Sequence, residues 1–156
     1  MRCSKVPSIV SLAPAEERAI IQAQPHHNRD EHTMLRSFLM LAAAFGFTGV
    51  GLGAFAAHGL KGRLSPEYLA IFQTGVQYQL VHALALLGVA VLANLMPGRL
   101  VGWAGLLFCL GIVLFSGSLY ALTLSGVSRL GIITPFGGLA FLAGWLCLGL
   151  AAWRLG

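Results

Sequence analysis

The segment TGVQYQLVHALALLGVAVLANL (residues 74–95) decides the fold, because it is apolar apart from a few uncharged polar residues. It lies in a run between Glu67 and Arg99 that contains no Asp, Glu, Lys or Arg. A membrane-spanning helix needs about 20 mostly apolar residues, so this run is long enough for one crossing. Its apolar residues are continuous and do not alternate, which indicates a helix rather than a strand of a membrane barrel.

Three further charge-free runs surround this segment, between Arg36 and Lys61, between Arg99 and Arg129, and between Arg129 and Arg154. Each run fits one crossing and is too short for two crossings with a turn. We therefore predict an all-α fold, an integral membrane four-helix bundle. Its helices are expected at about 37–57, 76–95, 101–124 and 135–153.

The composition excludes a soluble globular domain and a disordered chain. The 156 residues are 57% hydrophobic and 10% charged, whereas soluble domains carry about 25% charged residues. Disorder requires low hydrophobicity and high charge. The formal net charge of +5 is spread thinly along the chain. This spread is typical of residues that flank a membrane, and it predicts the lipid bilayer rather than nucleic acid as a partner.

Residues 1–33 differ from the rest, since they hold four of the five acidic residues and three of the five histidines. They show no clear hydrophobic periodicity, so we predict a disordered N-terminal tail followed by a four-span membrane domain at 34–156. Met34 stands directly before the first apolar run, which suggests that the tail arises from an upstream start codon. A signal peptide is disfavoured because Pro7 and Ser8 interrupt the short apolar stretch.

Small residues follow one face of the first and the fourth predicted helix. In lipid, such stripes let two helices approach closely. We predict helix packing at these positions, against either a sister helix or a second copy of the chain. The predicted packing residues are Gly46, Gly49, Gly53, Gly137, Ala140 and Gly144.

Uncharged polar residues concentrate toward one end of the predicted bundle. Polar groups inside a membrane are costly and are therefore candidates for function. Alternating crossings place them all in the half of the bilayer away from the termini. We predict one connected polar cluster, and both a structural hydrogen-bond network and a binding pocket fit it. Its members are His58, Thr74, Tyr78, His82, Ser116, Ser118, Tyr120 and Thr134.

Several of these residues carry a family resemblance. The segments GAFAAHGL (53–60), TGxxYxxxH (74–82), FSGSLY (115–120) and TPxGG (134–138) resemble the family known as domain of unknown function 423. That family includes small bacterial inner-membrane proteins and the eukaryotic transmembrane protein 256. Ala56 departs from the family pattern, which usually has glycine there. The resemblance extends from about Met34 to the C-terminus and implies a four-helix inner-membrane protein, with no established activity to transfer.

The sequence favours a structural or accessory role in the membrane. It contains no HExxH or GxSxG motif and no acidic residue within a predicted span, so we expect no enzyme and no metal or other cofactor. The alternative is a small-solute or lipid-binding transporter subunit that acts as a homo-oligomer. A haem held by His58 and His82 is weakly supported. A homo-oligomer or a membrane-protein partner fits either role.

Basic residues predict the orientation in the cell inner membrane. Arg36, Arg99 and Arg154 flank the side that holds both termini, and Lys61, Arg63 and Arg129 flank the other. With Arg29 added to the first side, the positive-inside rule favours cytoplasmic termini by a narrow margin. Interfacial anchoring is expected for Trp103, Trp145 and Trp153, because tryptophan concentrates at membrane interfaces.

Overall fold

Four helical spans dominate the computed structural model, which describes Pro14 and residues 25–95 and 98–154. Each span is long and apolar enough to cross a membrane, so the predicted all-α, four-span fold is confirmed. The third span consists of two α-helices joined by a π-helical turn at Ile112–Ser116. In chain order the helices are α1 (Pro25–Phe55), α2 (Pro66–Leu95), α3 (Arg99–Gly111), α4 (Gly117–Ser125) and α5 (Thr134–Trp153).

The first two helices begin earlier than predicted. Helix α1 begins at Pro25 and so includes residues 25–33 of the predicted tail. Proline fits the first helical position, and a helix that has formed extends at little cost through residues that lack proline and glycine. The disorder predicted for residues 1–24 lies outside the described residues, apart from Pro14. Helix α2 begins at Pro66, where the Ser65 hydroxyl accepts the Tyr68 backbone N–H at 3.3 Å.

Helix α2 occupies the middle of the bundle. It packs against α1 on one side and against the third span on the other, while α5 packs mainly against the third span. The larger core cluster contains Leu86, Val89 and Phe108, which are fully buried. A smaller cluster around Phe72 fills the space near the end of α1. The outer spans are consequently much less buried than the two inner ones.

Glycines allow the close approach of neighbouring spans. A Cβ atom on Gly49 would lie 2.7 Å from the Leu80 side chain, and one on Gly144 would lie 2.6 Å from the Phe108 ring. At Gly137 a Cβ would overlap the backbone of Phe115. Ala140 is buried on the same face of α5. These predicted grooves therefore hold sister helices in the structure.

Gly46 and Gly53 mark the limits of the groove on α1. A Cβ on Gly53 would lie 3.3 Å from Val76 of α2, which is a tight but adjustable contact. A Cβ on Gly46 would meet no heavy atom of the described chain within 4 Å. Gly46 thus lines an open apolar groove between α1 and α2, and it does not form the predicted helix contact.

Candidate functional site

Gln79 lies at the centre of a polar network that joins three spans. Its side chain is 4% exposed. Its Nε2 donates to the Phe45 carbonyl and to the Thr48 hydroxyl of α1, both at 2.9 Å. The Tyr120 hydroxyl of α4 donates to Oε1 of the same amide at 2.9 Å. Both amide hydrogens and the amide oxygen have protein partners, and we call this arrangement the Gln79 network.

His82 occupies a second polar position, three residues further along α2. Its Nδ1 lies 2.8 Å from the Tyr78 carbonyl oxygen, and its Nε2 lies 3.3 Å from the indole nitrogen of Trp145. A carbonyl can only accept, so Nδ1 carries the proton and donates it, while Nε2 accepts from the indole N–H. The neutral imidazole therefore has a partner at each nitrogen.

Aromatic rings surround His82 and form one wall of a cleft. The imidazole stacks on Phe141 with ring centroids 3.5 Å apart and planes inclined by 10°. Tyr78 stacks on Phe115 at a centroid distance of 4.4 Å. The cleft has a volume of about 580 Å³ and lies between α2, Phe115 of the third span, and α5. We call it the aromatic cleft, and Trp145 also lines it.

One end of the aromatic cleft, at His82 and Trp145, lies at mid-depth in the bundle, and the other end reaches Pro135 at the start of α5. His82 is separated from the two ends of α2, Pro66 and Leu95, by similar lengths of helix, about 24 Å and 20 Å at 1.5 Å per residue. Trp145 lies two turns before the end of α5 at Trp153. Its indole N–H donates to His82, while 49% of the Trp145 side chain is exposed, and the interfacial position stays a prediction.

The structure places some members of the predicted polar cluster in contact. Tyr78 and His82 stack with ring centroids 6.0 Å apart. The Ser118 hydroxyl lies 2.8 Å from the Thr134 hydroxyl, which links the third span to the start of α5, and it also donates to the Phe115 carbonyl. These contacts form two separate pairs. Neither pair is bonded to Tyr120, which belongs to the Gln79 network.

Three other members of the predicted cluster lie apart. The exposed Thr74 donates to the Ala70 carbonyl of its own helix at 3.0 Å. His58 is exposed and has no hydrogen bond within the described chain. Ser116 is fully buried, and its hydroxyl has no partner among the described residues. The expected single cluster is therefore replaced by separate groups.

Sequence reasoning missed the residue that connects most spans. Gln79 was not among the predicted site residues, nor were its partner Thr48 and the aromatic partners of His82. A usable signal is present, since Gln79 shares a helical face with Gly75 and Ala83, which are both buried. Small residues let a neighbouring helix approach closely, so a polar amide on the same face can form hydrogen bonds with that helix. Gln73 and Gln77 are exposed and lack that position.

The two sites have different chemical capacities. In the Gln79 network every polar atom of the amide is already bonded, so the network can stabilise the bundle but offers little to a ligand. The aromatic cleft has open volume and uncharged walls. Its imidazole is occupied at both nitrogens, which disfavours the haem ligation by His82 considered above. The cleft can accommodate an uncharged molecule.

Four apolar spans and an interior held by hydrogen bonds between helices define a small multi-pass helical membrane protein. A family model described as protein of unknown function (DUF423) matches residues 52–138. The chain belongs to this family, which confirms the resemblance drawn from the sequence motifs. The matched residues include Gln79, His82 and Tyr120.

Curated relatives are similar over nearly their whole length. The UPF0382 membrane protein YwdK of Bacillus subtilis (strain 168) is 49% identical over 119 residues, which cover 76% of this chain and 97% of the relative. The UPF0382 inner membrane protein YgdD of Escherichia coli (strain K12) is 43% identical over 120 residues, with coverages of 77% and 92%. No solved structure matches the chain at a significant level.

Proposed function

We propose that the protein has a structural or accessory role in the inner membrane. The observation that carries this proposal is the Gln79 network, in which one buried amide joins α1, α2 and α4. Each such bond within a membrane protein contributes about 0.6 kcal/mol on average. Three bonds that converge on one side chain favour cohesion of the bundle as the purpose of its polar interior.

A transport pathway would require polar atoms that are free to replace the hydration of a solute. The interior polar groups of the bundle are instead bonded mainly to one another or to the backbone. The buried Ser116 hydroxyl is the exception among the described side chains. No span carries an acidic residue between its flanking charges, so proton-coupled exchange through a carboxylate has no support.

An enzymatic role also lacks support from the geometry. Ser118 is bonded to Thr134 and to the Phe115 carbonyl, and His82 is bonded to Trp145 and to its own helix. A serine nucleophile needs a base within hydrogen-bond reach, and these two residues bond to different partners. We therefore include no catalytic activity in the proposal.

Two measurements on the full chain test the proposed role. First, mild-detergent extraction followed by native mass analysis should reveal a homo-oligomer or a complex with another membrane protein. Second, the purified chain in phospholipid vesicles should pass protons and potassium ions no faster than protein-free vesicles do. Ion flux well above that background would contradict the proposal, as would an exclusively monomeric protein at native expression levels.

We further propose that both termini face the cytoplasm. Arg36, Arg99 and Arg154 lie on the terminal side of the spans, and the positive-inside rule counts such residues near the ends of spans. A reporter that is active only in the cytoplasm should work when it is fused after Gly156. Activity of a periplasm-specific reporter at the same position would reverse the assignment.

A further inference from the structure

Tyr78 presents an unusual polar group to the membrane interior. Its side chain is 42% exposed and lines the aromatic cleft. Its hydroxyl makes no hydrogen bond with any described residue. A polar group that is left unpaired in hydrocarbon is costly. Tyr78 thus offers a hydrogen-bond donor to a molecule that enters the cleft from the lipid.

The walls of the cleft restrict the shape and charge of its occupant. The rings of Tyr78, Phe115, Phe141 and Trp145 supply extended flat surfaces, which favour a planar ring by stacking. The volume of about 580 Å³ falls within the range of small-molecule sites, about 300–1,000 Å³. No charged residue lines the cleft, so a neutral molecule is favoured.

The lining of the cleft separates two classes of lipid-soluble molecule. The cleft runs from Pro135 at the start of α5 to His82 and Trp145 near the middle of their helices. The polar groups of a phospholipid stay near the bilayer surface, about 15 Å from the centre of a hydrocarbon core about 30 Å thick. Acyl chains can neither stack on the aromatic walls nor accept from the Tyr78 hydroxyl, whereas a planar ring that carries carbonyl groups can do both.

We propose that the aromatic cleft binds the ring of a membrane-soluble quinone. Such a molecule combines a planar neutral ring, carbonyl oxygens that accept from the Tyr78 hydroxyl, and an apolar tail that stays in the lipid. His82 acts as a positioning residue, because its bonds to the Tyr78 carbonyl and to Trp145 fix one wall of the cleft. This ligand site goes beyond the structural role proposed above and does not depend on it.

Trp145 provides a direct probe of binding, because a quinone stacked nearby quenches tryptophan fluorescence. The full chain with Trp103→Phe and Trp153→Phe retains Trp145 as its one indole. This protein, placed at one copy per phospholipid nanodisc, is titrated with decylubiquinone. We expect saturable quenching. Quenching that rises in proportion to quinone without saturation would reflect partitioning into lipid and would overturn the proposal.

Substitution of Tyr78 tests the hydrogen bond. Tyr78→Phe keeps the ring and removes the hydroxyl, so the affinity for decylubiquinone should fall about twofold to tenfold, the range of one neutral hydrogen bond. The matched control is Tyr68→Phe on the same helix, outside the residues that line the cleft. Equal affinities of the parent and Tyr78→Phe proteins would contradict the proposed contact.

Filling the cleft tests its location. A Cβ on Gly138 would come no closer than 3.9 Å to Phe115, so Gly138→Leu should fold and project its side chain into the cleft. We expect saturable quenching to disappear in this variant and to persist in Gly46→Leu, which fills the other apolar groove. Unchanged binding in a folded Gly138→Leu protein would overturn the site. If that variant does not fold, the Tyr78→Phe comparison decides.

A second copy of the chain is the competing occupant. Nanodiscs that hold two copies provide the test, with decylubiquinone absent. Trp145 fluorescence should be the same at one and two copies if the cleft is a ligand site. A large change with copy number, together with no effect of quinone, would assign the cleft to a protein contact and overturn the proposal.

Discussion

Gln79 and His82 lie three residues apart on α2, yet they occupy opposite kinds of surroundings. The Gln79 amide is enclosed by α1 and α4, and each of its polar atoms is bonded to protein. His82 lies beside an open cleft, and the hydroxyl of its neighbour Tyr78 makes no hydrogen bond with any described residue. One helix therefore contributes to a closed hydrogen-bond network on one side and to an open cleft on the other.

The difference follows from the position of each residue around the helix. Successive residues of an α-helix are rotated by about 100°, so Gln79 points toward α1 and α4 while Tyr78 lines the cleft beside α5. Removing one member of a closed hydrogen-bond network leaves its partners unpaired. A substitution beside an open cleft removes only the contacts of that side chain. Substitutions in the two regions should consequently differ in the size and the coupling of their effects.

The largest effect is expected where α5 meets the third span. Gly137→Leu would place a side chain against the Phe115 backbone, so overpacking should lower the free energy of unfolding by about 3 kcal/mol or more and distort the cleft wall. Unfolding in mixed micelles measures this loss. Gly138→Leu is the matched control, with an expected loss below about 1 kcal/mol. Equal losses at both positions would show that this close approach is absent.

Gln79→Leu should produce the next largest loss. The change removes three hydrogen bonds to Phe45, Thr48 and Tyr120, which together stabilise the fold by about 1–2 kcal/mol. Unfolding of single and double variants with Tyr120→Phe should show a coupling energy of about 0.5 kcal/mol or more. The exposed Gln77→Leu serves as the control and should change stability little. If the losses in unfolding free energy of Gln79→Leu and Tyr120→Phe simply add, the two residues do not belong to one network.

His82→Phe should have a smaller effect of about 0.6 kcal/mol. Phenylalanine retains the stacking on Phe141 and loses the bond from Trp145. Because His82 and Tyr120 share no hydrogen-bond partner, the His82→Phe and Tyr120→Phe losses should add to within about 0.5 kcal/mol. A larger coupling energy would restore the single connected cluster expected from the sequence.

The smallest effect is expected at Thr74. Its exposed hydroxyl bonds only to the Ala70 carbonyl of its own helix, so Thr74→Val should change the free energy of unfolding by less than about 0.5 kcal/mol. The same unfolding assay measures this change. A loss as large as that of Gln79→Leu would mean that Thr74 takes part in a contact between helices.

The sequence was sufficient to locate the spans and several close helix contacts. Charge-free runs identify segments that must lie in lipid, and stripes such as Gly49 with Gly53 identify faces that let another helix approach. The i, i+4 spacing also placed Tyr78 beside His82. These features depend on local periodicity, which a single chain displays directly.

The partners across helices could not be predicted in the same way. Whether Gln73, Gln77 or Gln79 enters the interior depends on the rotation of α2 relative to α1 and the third span, and no local pattern states that rotation. Trp145 illustrates the same problem. Its hydrogen-bond partner His82 lies on a different helix, and no pattern around Trp145 indicates that contact.

The π-helical turn at Ile112–Ser116 changes the direction in which later side chains of the third span point. A π-helical turn holds one more residue than an α-helical turn, so the residues beyond it are rotated by about 100° relative to an uninterrupted helix. Phe108 before the turn can thereby pack beside His82 while Tyr120 beyond it reaches Gln79. Deleting the exposed Val113 from this turn would preserve every side chain of both sites and still separate Tyr120 from the amide it bonds.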